Sequence, residues 1–290
     1  MLDYRVFTFM KLCETLNFTQ AAKELHITQP AVTKHIQALE NDYQTKLFTF
    51  SGKQCHLTTS GQELLDLLVT MNNDIQHFKS HLNQEQTPIN FGATLTIGDY
   101  VLNESLATIL YKHPNVQIKM LVDNTETLLK DIDQGKIDFA LIEGFFSKEK
   151  YDYLPYKTEP FIAVASPKAG LNDKTYTLKE LLDYPIIIRE QGSGTREMLE
   201  ITLKEANLAI TDFHHISEIG SLNAICHLIT NNLGITFVYQ SVVQKALDSG
   251  ELFKIRLDLP PLSHDFTFVW RKNSQFKTLY QEMFKLFLTD

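Results

Sequence analysis

Residues 17–40 constrain this chain more than any other stretch. They read Asn-Phe-Thr-Gln-Ala-Ala-Lys-Glu-Leu-His-Ile-Thr-Gln-Pro-Ala-Val-Thr-Lys-His-Ile-Gln-Ala-Leu-Glu. The pattern predicts two short helices joined by a tight turn. In the first, Thr19 is placed to cap the N-terminus, and Ala21, Ala22 and Leu25 form a small, closely packable face. His26-Ile27 makes the turn. Thr28 caps the second helix, with Pro30 near its start, where a missing amide proton costs nothing. Val32, Ile36 and Leu39 recur at four and three residues and share one side. Pro30, Thr33, Lys34 and Gln37 share the other, which is short, polar and amide-bearing, as a helix lying in a DNA major groove requires. This is the pattern of a helix-turn-helix, and duplex DNA is the expected partner.

Many small helical domains contain such a corner, so its surroundings matter. Leu2, Val6, Phe9 and Cys13 form a further helical stripe able to cover the pair. Residues 47–58, Leu-Phe-Thr-Phe-Ser-Gly-Lys-Gln-Cys-His-Leu-Thr, read as two strands turning at Ser51-Gly52, the wing of a winged helix.

Taken together, the segment resembles the LysR-type transcriptional regulators. The resemblance runs through Asn-Phe-Thr-x-Ala-Ala at 17–22, Gln-Pro-Ala-Val-Thr at 29–33, Ile36, Leu39-Glu40, Leu47-Phe48 and Leu57-Thr58-x-x-Gly61. It is ungapped over about sixty residues, and looser similarity covers the rest of the chain. Two positions depart from the family. Tyr43-Gln44 stands where Leu-Gly is usual, which puts Gln44 in a left-handed conformation at a cost of roughly 1 kcal/mol. Phe50 replaces the usual Arg and removes a phosphate contact from the wing. The expected DNA-binding set is Thr19, Thr28, Gln29, Pro30, Thr33, Lys34, Gln37 and Lys53. In it Gln29, Thr33, Lys34 and Gln37 face bases, while Thr28 and Lys53 face phosphates.

A net charge of −8 argues against indiscriminate nucleic-acid binding. Residues 1–60 hold six basic side chains (Arg5, Lys11, Lys23, Lys34, Lys46, Lys53) against five acidic ones, a balance of +1, which leaves −9 for the remainder. Binding is therefore expected to lean on pairing and base readout. A hydrophobic fraction of 43% suits a globular chain, and 290 residues suit two or three domains. No apolar run is long enough to span a membrane, and the N-terminus opens on an amphipathic helix instead of a leader. A cytoplasmic location is expected, with Cys13, Cys55 and Cys226 reduced.

Residues 60–83 predict a helix opening on a Ser60-x-x-Glu63 capping box. Leu64, Leu68, Met71, Ile75, Phe78 and Leu82 step by 4, 3, 4, 3 and 4 behind it, a heptad seam suited to self-pairing, the alternative being that it packs on the chain's own C-terminal part. A dimer implies a pseudo-palindromic operator. The family resemblance implies a tetramer built as a dimer of dimers. Residues 84–88 read as a hinge.

From residue 89 strands and helices alternate: strand 89–93, helix 99–112, strand 116–122, helix 125–135, strand 139–142. The second half begins with strand 161–165. Strands 186–189, 215–218 and 234–238 follow, each leading into a helix (194–207, 221–231, 241–248). Strand 266–271 and a helix near 275–288 close the chain. This predicts two linked α/β lobes, the first over about 89–160 and 266–290, the second over 161–265. The fold class is thus α+β and multidomain: winged helix-turn-helix (1–59), dimerisation helix (60–83), hinge (84–88) and an effector domain (89–290). The resemblance implies that the last is of the two-lobed, periplasmic-binding-protein-like kind.

Ligands gather at strand carboxyl ends against helix N-termini. Two stretches qualify, Gly92-Ala-Thr-Leu-Thr-Ile-Gly98 and Arg189-Glu-Gln-Gly-Ser-Gly-Thr-Arg196. Thr94, Thr96, Ser193 and Thr195 are the leading candidate contacts, followed by Asn124, Thr125, Glu143, Arg196 and Ser221. Hydroxyls, backbone amides and a nearby cation suit a small anion; these same hydroxyls also suit capping of their own helices. The loops are similar to those of family members that govern sulfur assimilation and sense inorganic sulfur anions.

Nothing points to an enzyme. The glycine loop lacks the Gly-Lys-Ser/Thr of a phosphate loop, Gly-x-Gly-x-x-Gly fails at Glu197, and no Gly-x-Ser-x-Gly occurs. His214 and His215 are adjacent on an expected strand and face opposite ways. Ser263-His264-Asp265 reads as a loop turn, and Cys226 as core. No metal or cofactor is expected. The alternative reading is a solute-binding protein that uses the two lobes without any DNA role.

Overall fold

A computed structural model describes residues 3–52, 54–81, 88–171 and 174–288. These fall into two compact units. One holds Met1–Gln84 with Asp133–Lys136 and Lys272–Gln275; the other holds Glu85–Ile132, Ile137–Arg271 and Phe276–Asp290. Lys53, Leu82 and most of the expected hinge lie outside the described residues.

The first unit opens with helices α1 (Tyr4–Thr15), α2 (Phe18–Glu24) and α3 (Gln29–Tyr43). Strands β1 (Phe48–Ser51) and β2 (Gln54–Leu57) follow as an antiparallel hairpin, and α4 (Thr59–His81) ends the run. Val6, Phe9, Leu12, Ala21, Ala22, Val32, Ile36, Leu39, Leu47, Phe48, Cys55 and Leu68 form one apolar core. The expected wing is present, and Gln44 takes the left-handed conformation (φ 52°) that its glycine-like position demanded.

Three local details correct the sequence reading. Asn17, not Thr19, caps α2: its Oδ1 accepts from the Thr19 and Gln20 amides at 2.9 and 3.0 Å. Asparagine satisfies two amides from one position earlier, which leaves Thr19 exposed inside the helix. Likewise Thr58 performs the capping expected of Ser60, accepting from the Gly61 amide while its hydroxyl donates to the Lys46 carbonyl at 2.7 Å. Along α4, Leu68 belongs to the core, whereas Leu67, Met71 and Phe78 are exposed. The apolar line open to a partner therefore runs through Leu67, one residue before the expected seam position.

The second unit is built around a nine-stranded sheet. Its elements begin with β3 (Ile89–Thr94), a π-helical turn at Ile97–Val101, α5 (Asn103–Lys112), β4 (Ile118–Asp123), α6 (Thr125–Asp133) and β5 (Phe139–Ile142). The long β6 (Tyr151–Ala165) comes next, then β7 (Thr175–Tyr176), α7 (Leu178–Leu181), β8 (Ile186–Ile188), α8 (Gly194–Glu205), β9 (Ile216–Glu218) and α9 (Leu222–Thr230). The chain ends with β10 (Ile235–Tyr239), α10 (Gln240–Asp248), β11 (Phe253–Lys254), β12 (Arg256–Leu257), β13 (Ser263–Arg271) and α11 (Lys277–Phe287).

Strand order is β4-β3-β5-β13-β6-β10-β8-β9, with β11 also on β6. Residues 151–160 of β6 pair with β13 on one side of the domain, and residues 161–165 pair with β10 and β11 on the other. β6 therefore begins ten residues earlier than the pattern suggested. Pro155 and Pro160 hid it, because proline withholds a ladder hydrogen bond and is tolerated in strands at bulges and edges. The register shifts between Phe266 and Thr267, whose partners are Lys157 and Pro155, so the irregularity accommodates one of the two prolines. Ser263-His264-Asp265, expected as a turn, opens β13.

Candidate functional site

Two polar constellations stand out, one in each unit. In the first, α3 buries Val32, Ile36 and Leu39 and leaves Gln29, Pro30, Lys34 and Gln37 exposed and Thr33 half-exposed. Thr28 accepts from the Ala31 amide as expected. The Gln29 amide donates to Thr33 Oγ1 at 3.2 Å, so these two side chains are held together on the outer face. Glu40, missed by sequence reasoning, fixes the wing to this helix. Its nearly buried carboxylate accepts from the Leu47 amide at 3.0 Å and pairs with Lys46 at 2.6 Å. Phe50 stacks on Phe18 with centroids 6.0 Å apart, and both line a cavity of about 550 Å³ with Gln29, Thr33 and Gln37. Exposed polar groups and an aromatic wing thus share one surface, suited to bases and sugars more than to phosphates.

In the second unit, the carboxyl ends of β3, β5, β8 and β10 meet the N-termini of α6 and α8. Thr94 and Thr195, both expected to face a ligand, donate to Glu143 instead: Thr94 Oγ1 to Oε2 at 3.2 Å and Thr195 Oγ1 to Oε1 at 2.7 Å. The Glu143 side chain is 1% exposed. Burial pushes its carboxyl above the ordinary value of 4.5, while the hydroxyls of Thr96 and Thr195, the Arg189 charge and Thr94 oppose that rise. Thr96 approaches without hydrogen-bond geometry, and its Oγ1 has no partner among the described residues. Tyr239, unforeseen from sequence, donates its hydroxyl to the Glu143 carbonyl at 3.3 Å. The place expected for an external anion therefore holds a carboxylate of the chain itself.

Close backbone approach makes this arrangement possible. A Cβ on Gly194 would lie 2.6 Å from the Gly144 backbone, so the two loops touch because position 194 is glycine, while a Cβ on Gly144 would lie 2.6 Å from the Thr125 hydroxyl. The other expected residues divide. Ser193 and Thr125 are buried beside Glu143's loop, and their hydroxyls lack partners among the described residues. Asn124 caps α6 through the Thr127 amide. Arg196 pairs with Glu200 at 2.9 Å and with Glu218, and Arg189 pairs with Glu190, leaving its Nη1 without a partner among the described residues. Ser221 is exposed, caps α9 through the Ala224 amide, and does not join the cluster. Sequence reasoning missed Glu126 and Glu197, which line a cavity of about 300 Å³ together with Thr125, Ser193, Arg196 and Glu200; nothing in their local pattern distinguishes them from solvated helix charges.

The thiols are not activated. Burial pushes Cys13 up to about 12 and Cys226 up to about 11.

Residues 82–289 match the LysR substrate binding domain, and residues 5–62 match the bacterial regulatory helix-turn-helix protein, lysR family. The chain belongs to the LysR family. This LysR-type protein is 26% identical over 286 residues to the HTH-type transcriptional regulator CysL of Bacillus subtilis, covering 96% of this chain and 95% of CysL. Among solved structures it is similar to a C206 mutant of OxyR from Corynebacterium glutamicum, with a TM-score of 0.60, 22% identity, and coverage of 98% and 89%. The CcmR regulatory domain of Synechocystis PCC6803, solved in complex with 2-PG, has a TM-score of 0.61 at 20% identity, covering 69% of this chain and 95% of that one. The LysR-type protein is thus a DNA-binding transcription regulator with an effector-binding domain, from a family of regulators and not of enzymes. No helix among the described residues is long and apolar enough to cross a membrane.

Proposed function

We propose that this regulator binds a pseudo-palindromic operator as an oligomer in the cytoplasm, and that a small metabolite bearing an acidic group alters that binding from the α/β domain. Residues 1–59 read the DNA, 60–83 pair the chains, 84–88 form the hinge, and the two lobes of 89–290 hold the effector. The observation that carries the reading is the outer face of α3, where Gln29, Thr33, Lys34 and Gln37 sit opposite a buried Val32-Ile36-Leu39 stripe. These four meet base edges, Thr28 and the wing's Lys53 meet phosphates, and Thr19 and Pro30 complete the DNA-binding set.

The exposed Leu67, Met71 and Phe78 of α4 support self-pairing, and the family's habit supports a tetramer. For the effector, Thr94, Thr96, Asn124, Thr125, Glu143, Ser193, Thr195 and Arg196 form the proposed neighbourhood. The amino ends of α6 and α8 and the unpartnered Arg189 Nη1 support an acidic group there. CcmR, solved with 2-PG, supports the idea that a domain of this fold takes a small molecule.

Fluorescence anisotropy with the DNA upstream of the chain's own coding sequence tests the reading. Tight, salt-sensitive binding is expected, and Thr33→Ala or Gln29→Ala should weaken it by about 1–3 kcal/mol each. Indifference to every duplex would leave a solute-binding protein.

A further inference from the structure

A recess of about 550 Å³ lies between α3 and the wing, with Phe18 and Phe50 in its lining beside Gln29 and Thr33 of the outer face of α3. Among the described residues its charged lining is Glu40 and Lys46, and these pair with each other at 2.6 Å. The recess therefore offers no net charge. Its aromatic side grows out of the core. Phe48 and Phe50 stand two residues apart on β1 and so point to the same face of the hairpin. Phe48 is buried against Phe9, with centroids 5.6 Å apart, and Phe18 lies edge-on to Phe48 at 6.3 Å. Phe50 continues this row past the core, stacked on Phe18 at 6.0 Å and 59% exposed.

A wing beside a helix that lies in a major groove meets the sugar-phosphate strand bounding that groove. Phosphates at such a surface are held by cations or by free donors. Here Lys46 is paired with Glu40, the Gln29 amide is turned to Thr33, and the wing presents a phenyl ring. The sugar is a better match. The C2′ of deoxyribose carries only hydrogens, and packing it on a ring removes apolar surface from water without releasing counterions. A ribose puts a hydroxyl at that carbon, and the hydroxyl would lose its water against the ring.

We propose that the Phe18–Phe50 pair grips the operator by a deoxyribose of the strand that passes between α3 and the wing. The contact is apolar, insensitive to salt and selective for the 2′-deoxy sugar. It rests on the DNA-reading role of α3 given above and adds a positioning contact that reads no base.

The test uses the full chain, a fluorescent duplex from the DNA upstream of its own coding sequence, and anisotropy over a salt series. Phe50→Ala should weaken binding by about five- to tenfold at every salt concentration, without changing the salt slope or the ranking of operator sequences. Phe50→Tyr keeps the ring and should bind as the parent does. Single ribonucleotides placed in turn along each strand give a second measurement. At a position in each half-site, ribose should cost the parent and Phe50→Tyr severalfold and cost Phe50→Ala nothing. If Phe50→Ala melts abnormally by circular dichroism, the ribose scan of the parent and Phe50→Tyr decides, and a scan with no sensitive position overturns the contact. The proposal also fails if Phe50→Ala binds as tightly as the parent, if the salt slope moves, or if the ranking of sequences changes. A parent that binds DNA while Phe50→Ala binds equally overturns this contact alone, whereas a parent that ignores every duplex overturns the regulator reading and the contact with it.

Discussion

The outer face of α3 and the polar lining of the α/β cleft use the same kinds of side chain, and the fold treats them in opposite ways. On α3, Thr33 and Gln29 bond to each other and remain at the surface, available to a partner. In the cleft, Thr94 and Thr195 are sealed around Glu143, and the cavity nearby sets three carboxylates, Glu126, Glu197 and Glu200, against the single guanidinium of Arg196. The difference is one of range. A single helix fixes both of its faces locally, so the buried stripe determines which residues look outward. Four strand ends spread from Thr94 to Tyr239 fix nothing until the tertiary fold brings them together.

The strongest way to break this contrast is to damage one unit and ask whether the other survives. Gly61 is the lever in the N-terminal unit, because a Cβ there would sit 2.3 Å from the Leu47 carbonyl oxygen. Gly61→Val must push the start of α4 away from the wing, at an expected cost of about 3 kcal/mol or more. In urea unfolding followed by circular dichroism, one transition should move to lower denaturant with operator binding lost, while a second stays in place. Equal displacement of both transitions would show that the units do not hold their structure separately.

A smaller effect sharpens the cleft side. Thr195→Val removes the 2.7 Å donor to a buried carboxylate and should cost about 1–3 kcal/mol. Paired with Glu143→Gln in a double-mutant cycle, the two losses should fall short of additivity, because the amide needs that donor less. Acidity gives an independent reading. Glu143 holds its proton more firmly folded than unfolded, since burial raises its pKa. Its contribution is therefore fully present below 4.5 and is lost as pH rises through the raised folded value. Thermal melts from acid to neutral pH should show Glu143→Gln losing less stability over that climb than the parent chain. Parallel curves would mean that Glu143 is hydrated, contrary to its burial.

These outcomes bear on how much was readable beforehand. The helix-turn-helix, the wing, the left-handed Gln44 and most of the α/β alternation follow from periodicity, caps and breakers, all short-range signals. Asn17 and Thr58 escaped as caps because each has a second capping residue nearby in sequence, and only the backbone decides which is used. The first ten residues of β6 escaped because Pro155 and Pro160 argue against a strand unless a bulge is known to absorb them. In the cleft, the sequence pattern brought Thr94, Glu143 and Thr195 into one neighbourhood, and hydrogen bonds join these three. What could not be recognised was that Glu143 would serve as the partner of two of them, nor that Glu126 and Glu197 would turn the neighbouring space acidic.

The least effect is expected at Phe50, and it sharpens the DNA side of the contrast. This ring is 59% exposed and stacks on Phe18, so its removal takes little from the core. Its position on the wing, beside Thr49 and the cavity that also contains Gln29 and Thr33, puts it within the surface that faces DNA in the proposed docking. Phe50→Arg adds one cation at that surface. If the wing lies along a phosphate backbone, one more counterion is released on binding, and a plot of log affinity against log salt should steepen by about 0.9. Preference among operator sequences should stay as it was, because a phosphate contact carries no base information. An unchanged slope would place the wing away from the backbone and assign docking to α3 alone; a changed sequence preference would place Phe50 against a base or in a minor groove.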